Sequence, residues 1–516
     1  MRRFLPPHIR NNLLVVFGIL FLLAAFSGLF LPPVEKVHAA PYERGSVSKQ
    51  DPSRPNIIFI RTDDQDYNSI FTRLPNSNKY IMQNLHNQII SKGVFFTNSY
   101  VEFSLCCPSR VTTLTGLYSK NHGVLGNKLP YGGYHKFTNT HNTLPVWLRN
   151  AGYYTILVGK YLNDTNVYDP PPPGWNRTYL TDGEAMHKYY NYKVMEDGTT
   201  LHSFGQAPGD YKTDVLTNRA VQYLADKEYG SSPFFLQIDY TAPHASPEVF
   251  GNTIPAPRHA GAMDGAPFPL SPSFNEADVS DKPAAVRSLP LIGPVQQDAI
   301  ITRYKKRQET LMAVDEGIGR IIRKLKQTGQ YDKTIIVFAS DNGWMQGEHR
   351  IEKGKQVAYQ AAGRVPLAIM GPGIPQNVTI HSLVNNVDYV PTFLEWANAT
   401  STLVPEGRSL VPLMQNPNIP WRTDFLIENP YLDFYSGLRT RDASTGEEYK
   451  YVEYDYDLDG NADEFELYAL TPNACSPIGD PYELESQHNN PCYAPLLQNL
   501  HNVLMQRLAC VGSTCR

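Results

Sequence analysis

Three short stretches of the chain are apolar with almost no interruption: Asn56-Ile57-Ile58-Phe59-Ile60, Phe234-Phe235-Leu236-Gln237-Ile238 and Thr334-Ile335-Ile336-Val337-Phe338-Ala339. A strand with one face in water alternates apolar and polar positions, whereas a strand buried on both faces of a parallel sheet does not. Each stretch runs on into polar residues: Arg61-Thr62-Asp63-Asp64, Pro243-His244 and Ser340-Asp341-Asn342-Gly343. Between them the period lengthens. Arg303–Gln327 places Leu311, Val314, Ile318, Ile321 and Leu325 on one helical face, and Leu144–Ala151 reads as a shorter helix. Alternating strands and helices predict an α/β fold with a large, mostly parallel sheet flanked by helices. In such sheets ligands bind at the carboxyl ends of the strands, which is where the polar residues fall. Residues 245–300 are Pro-rich and irregular, a long surface excursion near that edge.

The pattern changes after about residue 405. Asp424–Glu428, Tyr435–Arg441, Tyr449–Asp455 and Glu464–Tyr468 read as strands joined by short turns, followed by a helix at Leu496–Leu508. This predicts a smaller C-terminal domain made of an antiparallel sheet and one helix. At the other end, Arg2, Arg3 and Arg10 precede an apolar run from Leu13 to Leu31, and Val37-His38-Ala39 follows. That order fits a secretory signal, with an uncleaved membrane anchor as the alternative. The expected organisation is a signal or anchor over 1–39, a linker over 40–54, a catalytic domain over 55–404 and an α+β subdomain over 405–516. Membrane contact follows only if the first segment stays attached. The main body is expected outside the cytosol, secreted or in an exocytoplasmic, lysosome-like compartment.

Composition refines this outline. Among 516 residues the net charge is -4, with no basic stripe, so nucleic acid is not an expected partner. Four of six cysteines, Cys475, Cys492, Cys510 and Cys515, cluster near the C-terminus, which in an exported chain suggests two disulfides. Cys475–Cys492 with Cys510–Cys515 closes the shortest loops; two other pairings remain open. The vicinal Cys106 and Cys107 would bridge only with strain and call for another explanation. Asn163, Asn176, Asn377 and Asn398 sit in glycosylation sequons.

The candidate chemistry gathers at the strand ends. Asp63 and Asp64 are adjacent carboxylates that repel unless positive charge lies between them. Asp341 and Asn342 add oxygen donors in the same topological position, and an all-oxygen set points to Ca²⁺ or Mg²⁺ rather than zinc. The plain structural alternative is a helix cap and a turn. In Cys106-Cys107-Pro108-Ser109-Arg110, Pro108 suits the first turn of a helix, Cys106 precedes its anion-favouring N-terminus, and Arg110 offers a fork of donors to an oxyanion. A second acidic pattern, Asp455-x-Asp457-x-Asp459-Gly460 with Glu466, has EF-hand spacing, but its β-like flanks favour a hairpin turn.

With Leu114-Thr115-Gly116 after it, the Cys106–Arg110 run resembles the signature of the sulfatase family, and the likeness extends from Pro55 into the C-terminal region. Gly159-Lys160-Tyr161-Leu162-Asn163, Pro172-Pro173-Gly174-Trp175, Tyr189-Tyr190-Asn191-Tyr192, Ala242-Pro243-His244 and Gly371-Pro372-Gly373-Ile374 resemble its N-acetylglucosamine-6-sulfatase, endosulfatase and arylsulfatase branch. The resemblance implies an alkaline-phosphatase-like fold and hydrolysis of sulfate esters. Cys106 would be converted to formylglycine (3-oxoalanine) by a formylglycine-generating enzyme. Its hydrated diol would attack sulfur beside a divalent cation, Ca²⁺ or Mg²⁺, held by Asp63, Asp64, Asp341, Asn342 and residue 106 itself. Arg110 would steady the modified residue, and Lys160, His244 and Lys355 would bind sulfate or protonate the leaving oxygen.

Lys353 competes with Lys355 for that role, and counting back from Tyr359 favours Lys355. Two positions depart from the family pattern: Gln360 stands where many members carry Glu, and Leu162 where many carry His. His122 is the candidate to replace that His, with helix closure as its structural alternative. Sulfated sugars and aryl sulfates are the implied substrates, with specificity expected from loops 165–210 and 245–300. Two alternatives are a phosphonate monoester or phosphodiester hydrolase on the same fold and an inactive module that binds sulfated glycans.

Overall fold

The run Asn56–Ile60 forms most of a strand, Asn56–Asp63, in which every residue is buried. The structure is a computed structural model and describes residues 54–516 apart from Glu184, Phe250, Leu432 and Asp433. Ile58 and Ile60 join a core that includes Leu216, Ile238 and Ile318, while Ile57 and Phe59 join another that includes Val111, Leu148 and Phe393. Having a core on each face is what erases the alternation from the sequence.

The central sheet runs, in spatial order, Val378–Ile380, Gly93–Phe96, Leu367–Met370, Thr334–Ser340, Asn56–Asp63, Phe234–Pro243, Tyr154–Gly159, Arg177–Thr181, Tyr192–Glu196 and Thr200–Phe204. The five strands from Thr334–Ser340 to Arg177–Thr181 are parallel, and antiparallel pairs flank them on both sides. The central strands therefore open their carboxyl ends onto one edge. Helices Lys212–Asp226 and Pro294–Gln327 contribute to one core, and Cys106–Thr115, Leu144–Asn150 and Tyr389–Ala397 to the other.

The long helix buries all five residues of its predicted face. It starts at Pro294, earlier than the apolar period shows, because proline at a first helical turn forfeits no needed N–H. Residues 294–300 thus belong to this helix and not to the irregular excursion. The segment 165–210, read as a loop, contains three strands of the sheet, of which Tyr192–Glu196 and Thr200–Phe204 form a partly exposed hairpin. Their short, mixed polar sequences carry no period strong enough to announce them.

The C-terminal sheet is an antiparallel meander of Asp424–Asn429, Tyr435–Arg441, Glu448–Tyr454 and Glu464–Ala469. Helix Ala494–Ala509 packs Leu500 and Leu504 into a cluster with Leu426, Leu438 and Leu467. Cys475–Cys492 and Cys510–Cys515 are disulfide-bonded, while Cys106 and Cys107 are free and buried. The Asp455–Asp459 segment lies between two paired strands, with Gly460 N–H donating to the Asp455 carboxylate (3.0 Å). Glu466 is buried and accepts from Tyr359, Tyr454 and Tyr468. It is thus committed to the interior, and the hairpin-turn reading holds. Of the four sequons, Asn377 and Asn398 are exposed, Asn163 is buried, and the Asn176 side chain is engaged by Thr155.

The described residues belong to one compact unit, and no helix among them is long and apolar enough to cross a membrane. The expected signal or anchor and nearly all of the linker lie outside the described residues.

Candidate active site

Four neighbouring parallel strands each deliver polar residues to the carboxyl edge. Asp341 and Asn342 follow Thr334–Ser340, Asp63 ends Asn56–Asp63, His244 follows Phe234–Pro243, and Lys160 follows Tyr154–Gly159. The register shifts between Arg61 and Asp63, and Asp64 takes a left-handed φ of 67°, uncommon for a residue with a Cβ. Consecutive strand residues point to opposite faces; this break lets both carboxylates serve one site.

Cys106 opens the buried helix Cys106–Thr115, which Gly116 ends at φ 73°, donating its N–H to the Thr112 carbonyl. The Cys106 Sγ lies 3.5 Å from Asp63 Oδ1 and 2.8 Å from Lys355 Nζ. Burial, followed by the Asp63 charge, pushes its thiol up to about 11 despite Lys160 and Lys355. Cys107 packs in the core with Val111 and Leu114, and its backbone N–H donates to Asn127 Oδ1 (2.9 Å). The two cysteines thus have unrelated surroundings.

Around Cys106, acids and bases interleave. Arg110 donates to Asp341 Oδ2 (2.7 Å) and to the carbonyls of Lys160 and Tyr161 (3.0 and 3.2 Å). Asp341, Asp239 and Asp63 raise its already high pKa against the effect of burial. Lys160 Nζ lies 2.5 Å from Asp63 Oδ2. Lys355 pairs with Asp64 and reaches Asn342 Oδ1 at 3.2 Å. Asn342 Nδ2 donates to Asp64 Oδ1 (2.7 Å), and the Asp64 N–H to Asp341 Oδ1 (3.2 Å). Burial alone would protonate Asp63, but Lys160, His244, Arg110 and Lys355 outweigh it and hold the carboxyl well below its ordinary range. Asp64 shifts the same way, with burial opposed chiefly by Lys355 and His244. His244 Nδ1 lies 2.6 Å from the Ala245 carbonyl, which fixes the N–H there and turns Nε2 toward Asp64 Oδ2 at 3.5 Å.

Sequence reasoning missed two bases. The ring of His187 stacks on His244 with centroids 3.7 Å apart, and its Nε2 lies 3.3 Å from Lys160 Nζ. Arg307, on the long helix, donates to the backbone carbonyls of Asp64 and Pro243. The helical period of 303–327 marks where Arg307 sits but not that it turns inward, and no local motif marks His187. His122 does not join the cluster: its Nε2 pairs with Thr112 Oγ1 (3.1 Å) and its Nδ1 accepts from the Val124 N–H (3.1 Å). Burial lowers its pKa to about 3, and these bonds fit helix closure. Leu162 is buried in the apolar core, Lys353 is exposed, and Gln360 bonds to Tyr100 and Pro481 away from the strand ends.

Four side chains here could hold a divalent cation. Asp63, Asp64, Cys106 and His244 each offer a ligand atom within 4.8 Å of the others. Asp64 Oδ2 is buried without a hydrogen-bond partner; Asp341 and Asn342 border the group, Asp341 accepting from the Asp64 N–H and from Arg110, and Asn342 turning its amide nitrogen to Asp64 and its oxygen to Lys355.

Residues 55–399 match the Sulfatase family, and residues 347–509 match the C-terminal region of N-sulphoglucosamine sulphohydrolase. The chain is 33% identical over 394 residues to human N-acetylglucosamine-6-sulfatase, covering 73% of this chain and 67% of that protein. It is 36% identical over 391 residues to a Volvox carteri arylsulfatase, covering 70% and 58%. The chain thus spans little more than half of the Volvox protein, and 54% of a Caenorhabditis elegans extracellular sulfatase Sulf-1 homolog. A solved structure in complex with its substrate D-glucosamine-2-N,6-O-disulfate superposes with a TM-score of 0.72 at 26% identity, covering 88% of this chain and 98% of that one. A phosphonate monoester hydrolase from Silicibacter pomeroyi, at 21% identity and a TM-score of 0.60, shares the fold; it covers 89% of this chain and 96% of that one. With a family match across two thirds of its length and the Cys106–Arg110 signature set among strand-end carboxylates and lysines, the chain belongs to the sulfatase family.

Proposed function

We propose that this chain hydrolyses sulfate esters at the Cys106 site. One observation carries the reading: Cys106 heads a buried helix where Arg110, Lys160, His244 and Lys355 meet Asp63, Asp64 and Asp341. The Cys106–Arg110 signature and the match to the Sulfatase family support conversion of Cys106 to formylglycine by a maturation enzyme. Formylglycine would supply a diol nucleophile, and Ca²⁺, or Mg²⁺ in its stead, held by Asp63, Asp64, Asp341 and Asn342 would supply positive charge beside it. Arg110 fixes Asp341 and the Lys160 and Tyr161 carbonyls through three hydrogen bonds. Lys160 would present an N–H group to a sulfate oxygen, and Lys355 would do so by giving up one of its contacts with Asp64, Cys106 and Asn342. His244, with its Nδ1 proton anchored, holds or moves a proton at Nε2 for the departing alcohol.

A 6-sulfated glucosamine is the substrate class we favour, supported by the N-acetylglucosamine-6-sulfatase relatives and by the neighbour bound to a disulfated glucosamine. Aryl sulfate is the second choice. Export to an oxidising compartment is supported by the two disulfides.

The test is release of sulfate from 6-sulfated N-acetylglucosamine and from 4-nitrophenyl sulfate, run beside a phosphonate monoester and a phosphodiester. Cys106→Ala should lower sulfate turnover at least about 1,000-fold, and the Cys106 peptide should carry the mass of an aldehyde. Turnover that survives the substitution defeats the mechanism. Faster cleavage of the phosphorus esters assigns the chain to the phosphonate and phosphodiester class, whose fold it shares.

A further inference from the structure

We infer that His187 is a positioning residue of this site, accepting a hydrogen bond from Lys160 and stacking on His244 so that both are fixed for the reaction. The inference rests on the sulfatase reading above. His187 comes from the segment between strands Arg177–Thr181 and Tyr192–Glu196, remote in sequence from both residues it touches.

A lysine ammonium can only donate, so the 3.3 Å contact makes His187 Nε2 the acceptor and places the ring proton on Nδ1. Lys160 then has two N–H groups committed, one to Asp63 Oδ2 at 2.5 Å and one to His187. The third is left for a sulfate oxygen. Without His187 the ammonium has one fixed partner among these two and regains rotational freedom about it. The second contact acts on His244: the rings lie 3.7 Å apart and within 10° of parallel, so the imidazole is held by a stacking face as well as by its Nδ1 bond to Ala245.

The segment bearing His187 is itself clamped. Buried Lys212 donates to the carbonyls of Ala185 (2.8 Å) and Met186 (3.1 Å), Thr241 donates to Met186 (2.8 Å), and the Tyr189 hydroxyl donates to the His244 carbonyl (2.8 Å). A side chain held from both sides in this way is set before substrate arrives, as positioning requires.

The experiment separates the two contacts. His187→Phe keeps a stacking ring and removes the acceptor, and His187→Gln keeps an acceptor and removes the ring. For sulfate ester hydrolysis, His187→Phe should lower kcat about 10- to 100-fold with KM within about threefold of the parent. His187→Gln should recover part of that loss, both variants melting within about 3 °C of the parent. An unchanged kcat in His187→Phe, or an effect on KM alone, overturns the inference. Imidazole ¹⁵N spectra of the unmutated protein give a second reading that does not depend on activity or on folding of a variant. The His187 Nε2 signal should be that of an unprotonated acceptor, and a protonated Nε2 overturns the inference. An inactive parent defeats the sulfatase reading, while the ring spectrum still decides the Lys160–His187 contact.

Discussion

At the scale of single residues, the site is a balance of charges in which each cation has a specific partner. Arg110 is the clearest case. Its guanidinium makes three bonds in fixed directions, to Asp341 and to two backbone carbonyls, and it is fully buried. A lysine there would keep the charge but lose the fork. Arg110→Lys is expected to leave a buried carbonyl or carboxylate oxygen unpaired, costing about 3 kcal/mol in stability, and to lower turnover on the order of 100-fold. Chemical denaturation and sulfate-release kinetics on the same preparation check both numbers; parental stability in the variant would show that the fork is dispensable. Cys106, Arg110, Asp63, Asp64, Asp341 and Asn342 stand out in the sequence because they follow buried apolar runs or lie in the stretch that resembles the sulfatase signature, and it is that resemblance which implies their roles. His187 was not readable. Its part depends on two residues from other strands, and nothing in Met186-His187-Lys188 encodes that meeting.

Secondary-structure elements place these residues by ending where they do. The strand Thr334–Ser340 ends in Asp341-Asn342-Gly343, and Gly343 lies so close to the segment 361–362 that an added Cβ would stand 2.2 Å from the Ala361 carbonyl oxygen. Asn342 Nδ2 donates to the Gly343 carbonyl (2.8 Å) as well as to Asp64, so this backbone contact sets the amide. Gly343→Ala should therefore push the strand end away from its neighbour and displace Asn342. The expected cost is about 1–3 kcal/mol together with weaker binding at the cation site proposed above, read by thermal melting and by calorimetric titration with Ca²⁺. Normal ion affinity in a folded variant would mean that Asn342 does not depend on this contact. Three of the five parallel strands, Asn56–Asp63, Phe234–Pro243 and Thr334–Ser340, are legible because burial on both faces leaves apolar runs, and the Arg303–Gln327 part of the long helix because one face is continuously apolar; Tyr154–Gly159 and Arg177–Thr181 carry no such run. The hairpin Tyr192–Glu196/Thr200–Phe204 was not, since its partial exposure leaves Lys193, Thr200 and Leu201 in solvent and blurs the pattern.

Across the whole molecule, the helix bearing Cys106 is tied to the C-terminal sheet through buried carboxyl groups. Glu102 accepts from Thr112 and Ser119 (both 2.6 Å), and the Glu428 N–H, on strand Asp424–Asn429, donates to the Glu102 carbonyl (2.8 Å). Glu428 in turn accepts from the Lys120 N–H (2.9 Å). Burial, then the neighbouring Glu428, raises the Glu102 carboxyl to about 8, and burial raises Glu428 to about 7, both from 4.5. At these two groups the folded chain therefore binds more protons than the unfolded chain between about pH 4.5 and pH 8, and their contribution to stability falls as pH rises through that window. The contribution is fully present below pH 4.5 and lost above about 8. Asp63 works in the opposite sense: its lowered pKa gives stability that acid removes. Glu102→Gln keeps an oxygen acceptor for Thr112 and Ser119 but never ionises. The variant should thus lose less stability than the parent between pH 5 and pH 8, by on the order of a few kcal/mol, which melting curves across that range would show as a flatter profile. Only the difference between the two profiles matters, because groups remote from this pair titrate equally in both, and what remains belongs to Glu102 together with its neighbour Glu428. Parallel profiles would place the ionisation elsewhere and leave the union of signature helix and C-terminal sheet indifferent to pH.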